Sequence, residues 1–542
     1  MPRGATFALF LALGSAAPGQ DYAGSQACAP CHRAIYESYQ ATPMALSGAP
    51  PGTGIVRETF PGASFTGKSG WRYRVSADRD GYTLEFDRIA GHGHGVKRLV
   101  YAIGSGAAAR SYLVEDGGFL FEAPVAYYSA SAMWGLEPGY ADYDYPYLTR
   151  PIPPTCLNCH VSALHPVAGT LNRYTGAPYD EGGVSCERCH GPGLDHIARL
   201  KSGRTADGLA IVNPAKLDPE ARDSVCWQCH LNGEARVFRK GKDWRSYRPG
   251  ANLSESLTVF VRDGADSATQ VTSHAEDLAR SACRQNAGSR LWCGSCHDPH
   301  SIPVAADRVQ WYRARCEQCH KTQQCTESKA ARARANDNCI ACHMPKTNTP
   351  DAAHVVSTDH SIPRRLHVRQ VPNSVSGLVA FGGAATPERD LGLAYAIAAP
   401  HQKSSGFRGR AMELLERAIR QSPDDPEAMV YLAEIYRMSG RSEEAIPLYQ
   451  RAMRLDPEQL TAAVGLGGIE MERGQFGEAI RLWRSALEKN SGLELVRCNL
   501  ALAQWKTGDV NAARATLEKA LTLSPAFEPA NQLLRQLPLP PR

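Results

Sequence analysis

Seven copies of the pattern Cys-x-x-Cys-His constrain this 542-residue chain more than any other feature. They are Cys28/Cys31/His32, Cys156/Cys159/His160, Cys186/Cys189/His190, Cys226/Cys229/His230, Cys293/Cys296/His297, Cys316/Cys319/His320 and Cys339/Cys342/His343. Random placement of 17 Cys and 17 His would produce the pattern about 0.02 times. Fourteen Cys and seven His are used in this way, which excludes an ordinary cytosolic enzyme. A plain disulfide scaffold is excluded too, because the His residues would then have no purpose. The formal charge of +5 gives no basic footprint for nucleic acid.

The spacing carries a specific chemistry. Each Cys adds to one haem vinyl group as a thioether, and the adjacent His becomes the proximal iron ligand. Zinc would instead require a second ligand pair at regular spacing downstream. Seven covalent haems c are therefore expected. Each iron confined to electron transfer needs a sixth ligand, whereas an open position admits substrate. Ten His lie outside the motifs, and six of them sit close to one in sequence: His165, His196, His274, His300, His354 and His360. Met44 follows the first motif, and with these six it makes one distal candidate per haem. His401 falls in the first repeat helix and His367 in a basic linker. Cys283 and Cys325 could form a disulfide in an oxidising compartment, and Cys498 reads as a buried helix thiol.

The ends of the chain differ in kind. Residues 1–17 read as a secretory signal peptide: a short basic start, an apolar run from Ala5 to Gly14, then Ser15-Ala16-Ala17. Ten apolar residues are too few to span a bilayer, so an exported, periplasmic protein with no transmembrane segment in its mature chain is expected. Residues 18–50 form a first haem segment. Residues 51–128 have alternating patterns, with a hairpin from Trp71-Arg72-Tyr73-Arg74-Val75 through a turn to Tyr82-Thr83-Leu84-Glu85-Phe86. Residues 129–366 form the module with six haems, begun by a Tyr-rich loop (129–150) suited to stacking on a flat cofactor. Gly and Pro are frequent there, secondary structure is expected to be sparse, and the haems would supply the missing apolar surface. Residues 367–391 are a linker.

Residues 392–542 repeat with a period of 34. Gly recurs at 406, 440, 474 and 508, and Ala at 411, 445, 479, 513 and at 418, 452, 486, 520. This is the tetratricopeptide pattern, in which small residues let antiparallel helices approach. Four copies and a cap are expected. The fold class is thus multi-domain: a haem-packed, mainly irregular and helical cytochrome module with a small β insertion, followed by an all-α tetratricopeptide-repeat solenoid.

Two stretches, Gly183-Val184-Ser185-Cys186-Glu187-Arg188-Cys189-His190-Gly191-Pro192-Gly193 and Trp292-Cys293-Gly294-Ser295-Cys296-His297-Asp298-Pro299-His300, carry a resemblance. With Ile103-Gly104-Ser105-Gly106 and Ser111-Tyr112-Leu113, they resemble multihaem c-type cytochromes of the cytochrome c-554-like class, in the bacterial subgroup fused to tetratricopeptide repeats. The resemblance implies covalent haems, periplasmic electron transfer and mostly bis-His iron. Relatives often place a His in a Ser-x-His-Ala context after the first haem. This chain has Thr42-Pro43-Met44-Ala45, which favours Met44 or an open site. It has no Cys-x-x-Cys-Lys motif, so the likeness to pentahaem nitrite reductases stops short of their active-site haem.

Three functions compete. The first is an electron-transfer cytochrome whose repeats dock a redox partner protein, so that deleting 392–542 should abolish binding and leave haem spectra unchanged. The second is an oxidoreductase acting on a small nitrogen or sulfur compound at one five-coordinate haem, with Arg110, His92 and His94 lining an anion site. The third is an assembly protein in which haem is structural. No catalytic residue is assigned. Because the two propionates outweigh the ferric core by one charge per haem, the mildly basic chain becomes an acidic holoprotein.

Overall fold

The computed structural model describes residues 21–538 except 56, 61, 90–92, 205–207, 265–269, 321–324, 350, 366–376 and 402–405. The signal peptide, His92 and His367 therefore lie outside the described residues.

The β region is larger than a small insertion. Four antiparallel strands, Ser64–Thr66, Trp71–Asp78, Gly81–Arg88 and His94–Leu99, form one sheet in that order. A six-stranded sheet runs Gly48–Ala49, Tyr101–Ile103, Ala109–Asp116, Phe119–Tyr128 and Arg150–Pro151, with Met133–Leu136 also paired to Phe119–Tyr128. Along Trp71–Asp78, Trp71, Tyr73 and Val75 are buried while Arg72, Arg74 and Ser76 are exposed. That two-residue alternation gives the sheet one apolar face, and it packs against Tyr112, Val114, Phe121 and Val125 of the second sheet. The Tyr-rich stretch closes this sandwich on its far side. Tyr143 and Tyr147 stack at 4.7 Å, and Tyr145 meets Phe527 of the last repeat at 5.6 Å. These rings pack on one another and on the repeats, not on a cofactor face.

The segment with the later motifs holds more regular structure than its composition predicts. It has hairpins at Ser162–Pro166/Tyr174–Glu181 and Lys346–Thr349/Ala352–Thr358, a three-stranded sheet (Ala235–Phe238, Leu257–Arg262, Leu378–Ala380), and helices such as Pro219–His230 and Arg308–Glu317. The elements are short because little apolar side chain is present to bury. Among the described residues, no hydrophobic side chain between Ala275 and Val355 is buried.

The C-terminal part is four helix pairs and a final helix: Glu388–Ala398 with Gly406–Gln421, Pro426–Met438 with Ser442–Leu455, Leu460–Glu472 with Phe476–Lys489, Glu494–Lys506 with Val510–Leu523, then Glu528–Gln536. Ala411, Ala445, Ala479 and Ala513 are fully buried where paired helices cross. Gly440, Gly474 and Gly508 end first helices at φ of +75, +74 and +86°, a conformation that costs glycine least. Gly406, in the same register, begins a helix instead. His401 ends a short 3-10 turn after the first helix rather than lying inside it.

One edge of this solenoid is fastened to the rest of the chain at the same repeat position each time. Asp424 pairs with Lys240 at 2.6 Å. Glu458 abuts Gly169, and Gly492 sits against Phe121 and Thr149. Ala526 packs on the aromatic core of the β sandwich. These four positions are 34 residues apart, so the repeat period is also a docking period. The first repeat and the three-stranded sheet share one core: Val237, Phe260 and Leu378 pack with Leu393, Ala394 and Leu414. The repeats are therefore not a detachable arm on a linker, and removing 392–542 would uncover that core.

Candidate haem sites

Each motif sits on about one helical turn. The amide of His32 donates to Cys28 O at 2.9 Å, that of His190 to Cys186 O at 3.0 Å, that of His297 to Cys293 O at 2.9 Å and that of His320 to Cys316 O at 2.8 Å. A single turn puts both sulfurs and the imidazole on one wall. All fourteen Cys and all seven His of the motifs line one continuous cavity of about 4460 Å³. Shared among seven motifs, that is roughly 640 Å³ each, within the range of cofactor clefts. The residues therefore fit haem.

The motifs abut in a definite order. Cys28 lies beside Cys186, Cys226 beside Cys293, Cys159 beside Cys229 and Cys316 beside Cys339. Gln228 ties the third motif to the fourth, accepting from Arg188 at 2.9 Å and donating to Arg188 O at 3.1 Å. Cys296 lies near Cys316. The succession is first, third, fourth, fifth, sixth, seventh, with the second branching from the fourth. Glu187 holds the first segment on the third motif, accepting from the amides of Ala23 at 2.8 Å and Gly24 at 2.9 Å.

The structure divides the seven distal candidates. Met44, His196, His274, His300 and His360 line the cavity; His165 and His354 do not. His165 turns Nε2 to Asp180 at 3.1 Å, which occupies the nitrogen a metal would need. His354, at φ +62°, lies edge-on to Tyr128. Three candidates face a motif His. His300 stacks over His190 at 5.8 Å with rings 13° apart. His274 meets His230 at 5.1 Å, and His360 meets His297 at 6.3 Å. Two imidazoles, each about 2 Å from one metal, have centroids roughly 6 Å apart. The 5.8 and 6.3 Å separations are near that spacing, whereas His274 is closer to His230 and also meets His360 at 4.8 Å.

The protonation states agree. Burial pushes His160 and His297 down to about 4 and His274 to about 3, so all three are neutral and able to ligate. Four imidazoles bond through Nδ1 to a backbone carbonyl: His190 to Val212 at 2.7 Å, His196 to Leu209 at 2.7 Å, His343 to Pro363 at 3.1 Å and His360 to Thr358 at 2.9 Å. A carbonyl partner fixes the proton on Nδ1 and leaves Nε2 free for iron.

The expected anion site is not formed. Arg110 is fully buried in the sandwich, bound to Glu58 at 2.8 Å, and Tyr112 and Tyr82 also donate to Glu58. His94 is exposed beside Glu85. Cys283 and Cys325 are free thiols, and Cys498 is buried among the last repeats. No motif pointed to Glu122, Glu137 and Arg150, which line the cavity by the second motif.

The family "Cytochrome c554 and c-prime" matches residues 146–191, which hold the second and third motifs. "Tetratricopeptide repeat" families match 398–459 and 496–527. The multiheme cytochrome MtrA of Shewanella baltica is 22% identical over 213 residues, 38% of this chain and 57% of that protein. The dissimilatory sulfite reductase MccA of Wolinella succinogenes is 26% identical over 198 residues, 30% of this chain and 22% of that protein. The matches thus span just over half of one relative and less than a quarter of the other. Among solved structures, MamA aligns with 24% of this chain and 75% of its own, at 22% identity and a TM-score of 0.23. The repeat protein YrrB aligns with 27% and 74%, at 19% identity and 0.24.

Proposed function

We propose that the chain is a multihaem c-type cytochrome of the cytochrome c-554-like class fused to C-terminal tetratricopeptide repeats, and that it transfers electrons along seven covalently held haems in the periplasm. The observation that carries this reading is the single cavity lined by all twenty-one motif residues. Bound haem supplies a one-electron couple. The chain's own residues set where each centre sits. The Cys pairs anchor it, and the motif His approaches from one side. His300, His274 and His360, which lie near His190, His230 and His297, would be the residues to supply the second ligands. Met44 and His196 line the same cavity and are the remaining distal candidates. The abutting order sets the relay, with its ends at the first and seventh motifs and a branch at the second. Among the described residues, no helix is long and apolar enough to cross a membrane.

The repeats spend one edge on their own module. A redox partner protein would use the opposite edge, where a Cβ added at Gly440, Gly474 or Gly508 would point into open space. The mass of the purified protein tests the base claim: seven fixed haem increments are expected, and fewer overturn the count. A ferric spectrum with only low-spin signals, unresponsive to cyanide and carbon monoxide, supports the relay. Ligand binding at one centre favours the second reading, reduction or oxidation of a small nitrogen or sulfur compound. The observation for that reading is the acid and guanidinium group beside the second motif.

A further inference from the structure

Glu137 follows the strand Met133–Leu136 and lines the cavity next to the second motif. The residue is 7% exposed. Its Oε1 accepts a 2.9 Å hydrogen bond from Ser111, while Oε2 is buried and unpartnered. Glu122, on the strand Phe119–Tyr128, lies close enough for its charge to act on Glu137. It forms a 2.8 Å ion pair with Arg150, whose side chain is 47% exposed. Glu122 and Arg150 both act on the Cys156 thiol, which places this group within electrostatic reach of the attachment site. The other polar groups packed here are already committed. Tyr128 donates to Leu136 O at 2.6 Å, and Tyr140 donates to Glu122 O at 3.0 Å.

A buried carboxylate with an unsatisfied oxygen is costly in its charged form. Two carboxyls that share one site titrate as a pair, and the second charge is resisted. Burial and the charge of Glu122 hold Glu137 well above the carboxylate range, and burial raises Glu122 to about 6. Such a pair keeps a proton to exchange near neutral pH.

We propose that Glu122 and Glu137 form a proton-binding site coupled to the haem held at Cys156 and Cys159. The proposal rests on the haem attachment proposed above. When that haem takes one electron from a redox partner, the pair takes one proton from solvent, arriving at the exposed Arg150 end. Iron passes from ferric to ferrous, one carboxylate becomes a carboxylic acid, and the local charge is unchanged. Oxidation reverses each change. The branch haem would thus be the one whose electron is tied to a proton.

Potentiometric titration of the seven-haem protein between pH 5 and 8 tests this. One redox component should fall by up to about 59 mV per pH unit, one proton per electron. The double variant Glu122→Gln/Glu137→Gln should flatten that component and leave the others unmoved. Ser111→Ala removes the donor that favours the carboxylate, so it should keep the slope and move its window to higher pH. A slope that persists in the double variant overturns the proposal, as does a wild type indistinguishable from it. If the double variant does not fold, an unshifted window in Ser111→Ala overturns it alone. The haem mass of each variant is read separately, so loss of attachment is not mistaken for loss of coupling.

Discussion

The segment between Ala275 and Val355 and the repeat solenoid solve the same problem with different material. The first holds three haem motifs, and among its described residues it buries no hydrophobic side chain. The second buries a small or aromatic residue at nearly every helix crossing, with Ala445, Tyr449, Ala452 and Leu482 fully covered. On the proposed reading the cofactor would supply the core of the first region, while the second draws its core from its own side chains. Foldability of the first would then depend on chemistry that happens after synthesis, as in small metal-dependent domains. The repeats need no such step.

The largest effect should come from withholding haem. In a chain made without haem attachment, limited proteolysis followed by mass analysis should show 276–354 cut readily while 426–536 stays protected. With haem attached, both should resist. Equal protection of 276–354 in the haem-free chain would sink the contrast.

Part of this was readable in advance, and the missing part has a physical cause. Thioether spacing is local, so the motifs declare themselves in the sequence. Distal ligation is not local. His165 and His354 follow a motif in sequence as His300 does, yet Asp180 and Tyr128 claim them. A one-dimensional neighbour carries no direction, and His300 faces the third motif although it follows the fifth. The 34-residue period revealed the repeats, but not that Asp424, Glu458, Gly492 and Ala526 would fasten one edge to the module. Arg110 read as an anion ligand because its charge was visible and its partner Glu58 was not. Glu137 belongs to no motif at all.

Phe260 tests whether the two regions are separable. It is fully buried, in a strand of the haem module, within a core completed by Leu393 and Leu414 of the repeats. Phe260→Ala should cost about 3–5 kcal/mol in denaturant unfolding of the haem-loaded protein. Haem absorbance and far-ultraviolet dichroism should then shift together. A shift in only one signal would make them independent units.

Within the solenoid, Gly467 faces its paired helix so closely that an added Cβ would lie 2.5 Å from Nε1 of Trp483. Gly467→Ala should therefore destabilise by about 1–3 kcal/mol through overpacking, despite the better helix propensity of alanine. The change should appear in the melting of the repeats and leave the haem spectrum unmoved. A stabilised variant would mean that the Trp483 ring yields easily.

The smallest effect concerns the seam between the last repeats and the β sandwich. Glu494 is buried and accepts a 2.9 Å hydrogen bond from Tyr145. Burial raises its carboxyl above the ordinary value of 4.5. A carboxyl whose folded pKa is raised favours the folded state while protonated. That contribution is fully present below the unfolded value and is lost as pH rises through the folded one. Stability of the wild type should therefore decline from about pH 4.5 upward in this component. Glu494→Gln keeps an acceptor for Tyr145 and has no proton to lose. Its melting temperature plotted against pH should be flatter than that of the wild type, and the two curves should approach each other at low pH. Parallel curves would show that Glu494 is ionised without cost and that solvent reaches the seam. Convergence would show that this edge of the solenoid is as dry as a core, as one clamped onto its own module should be.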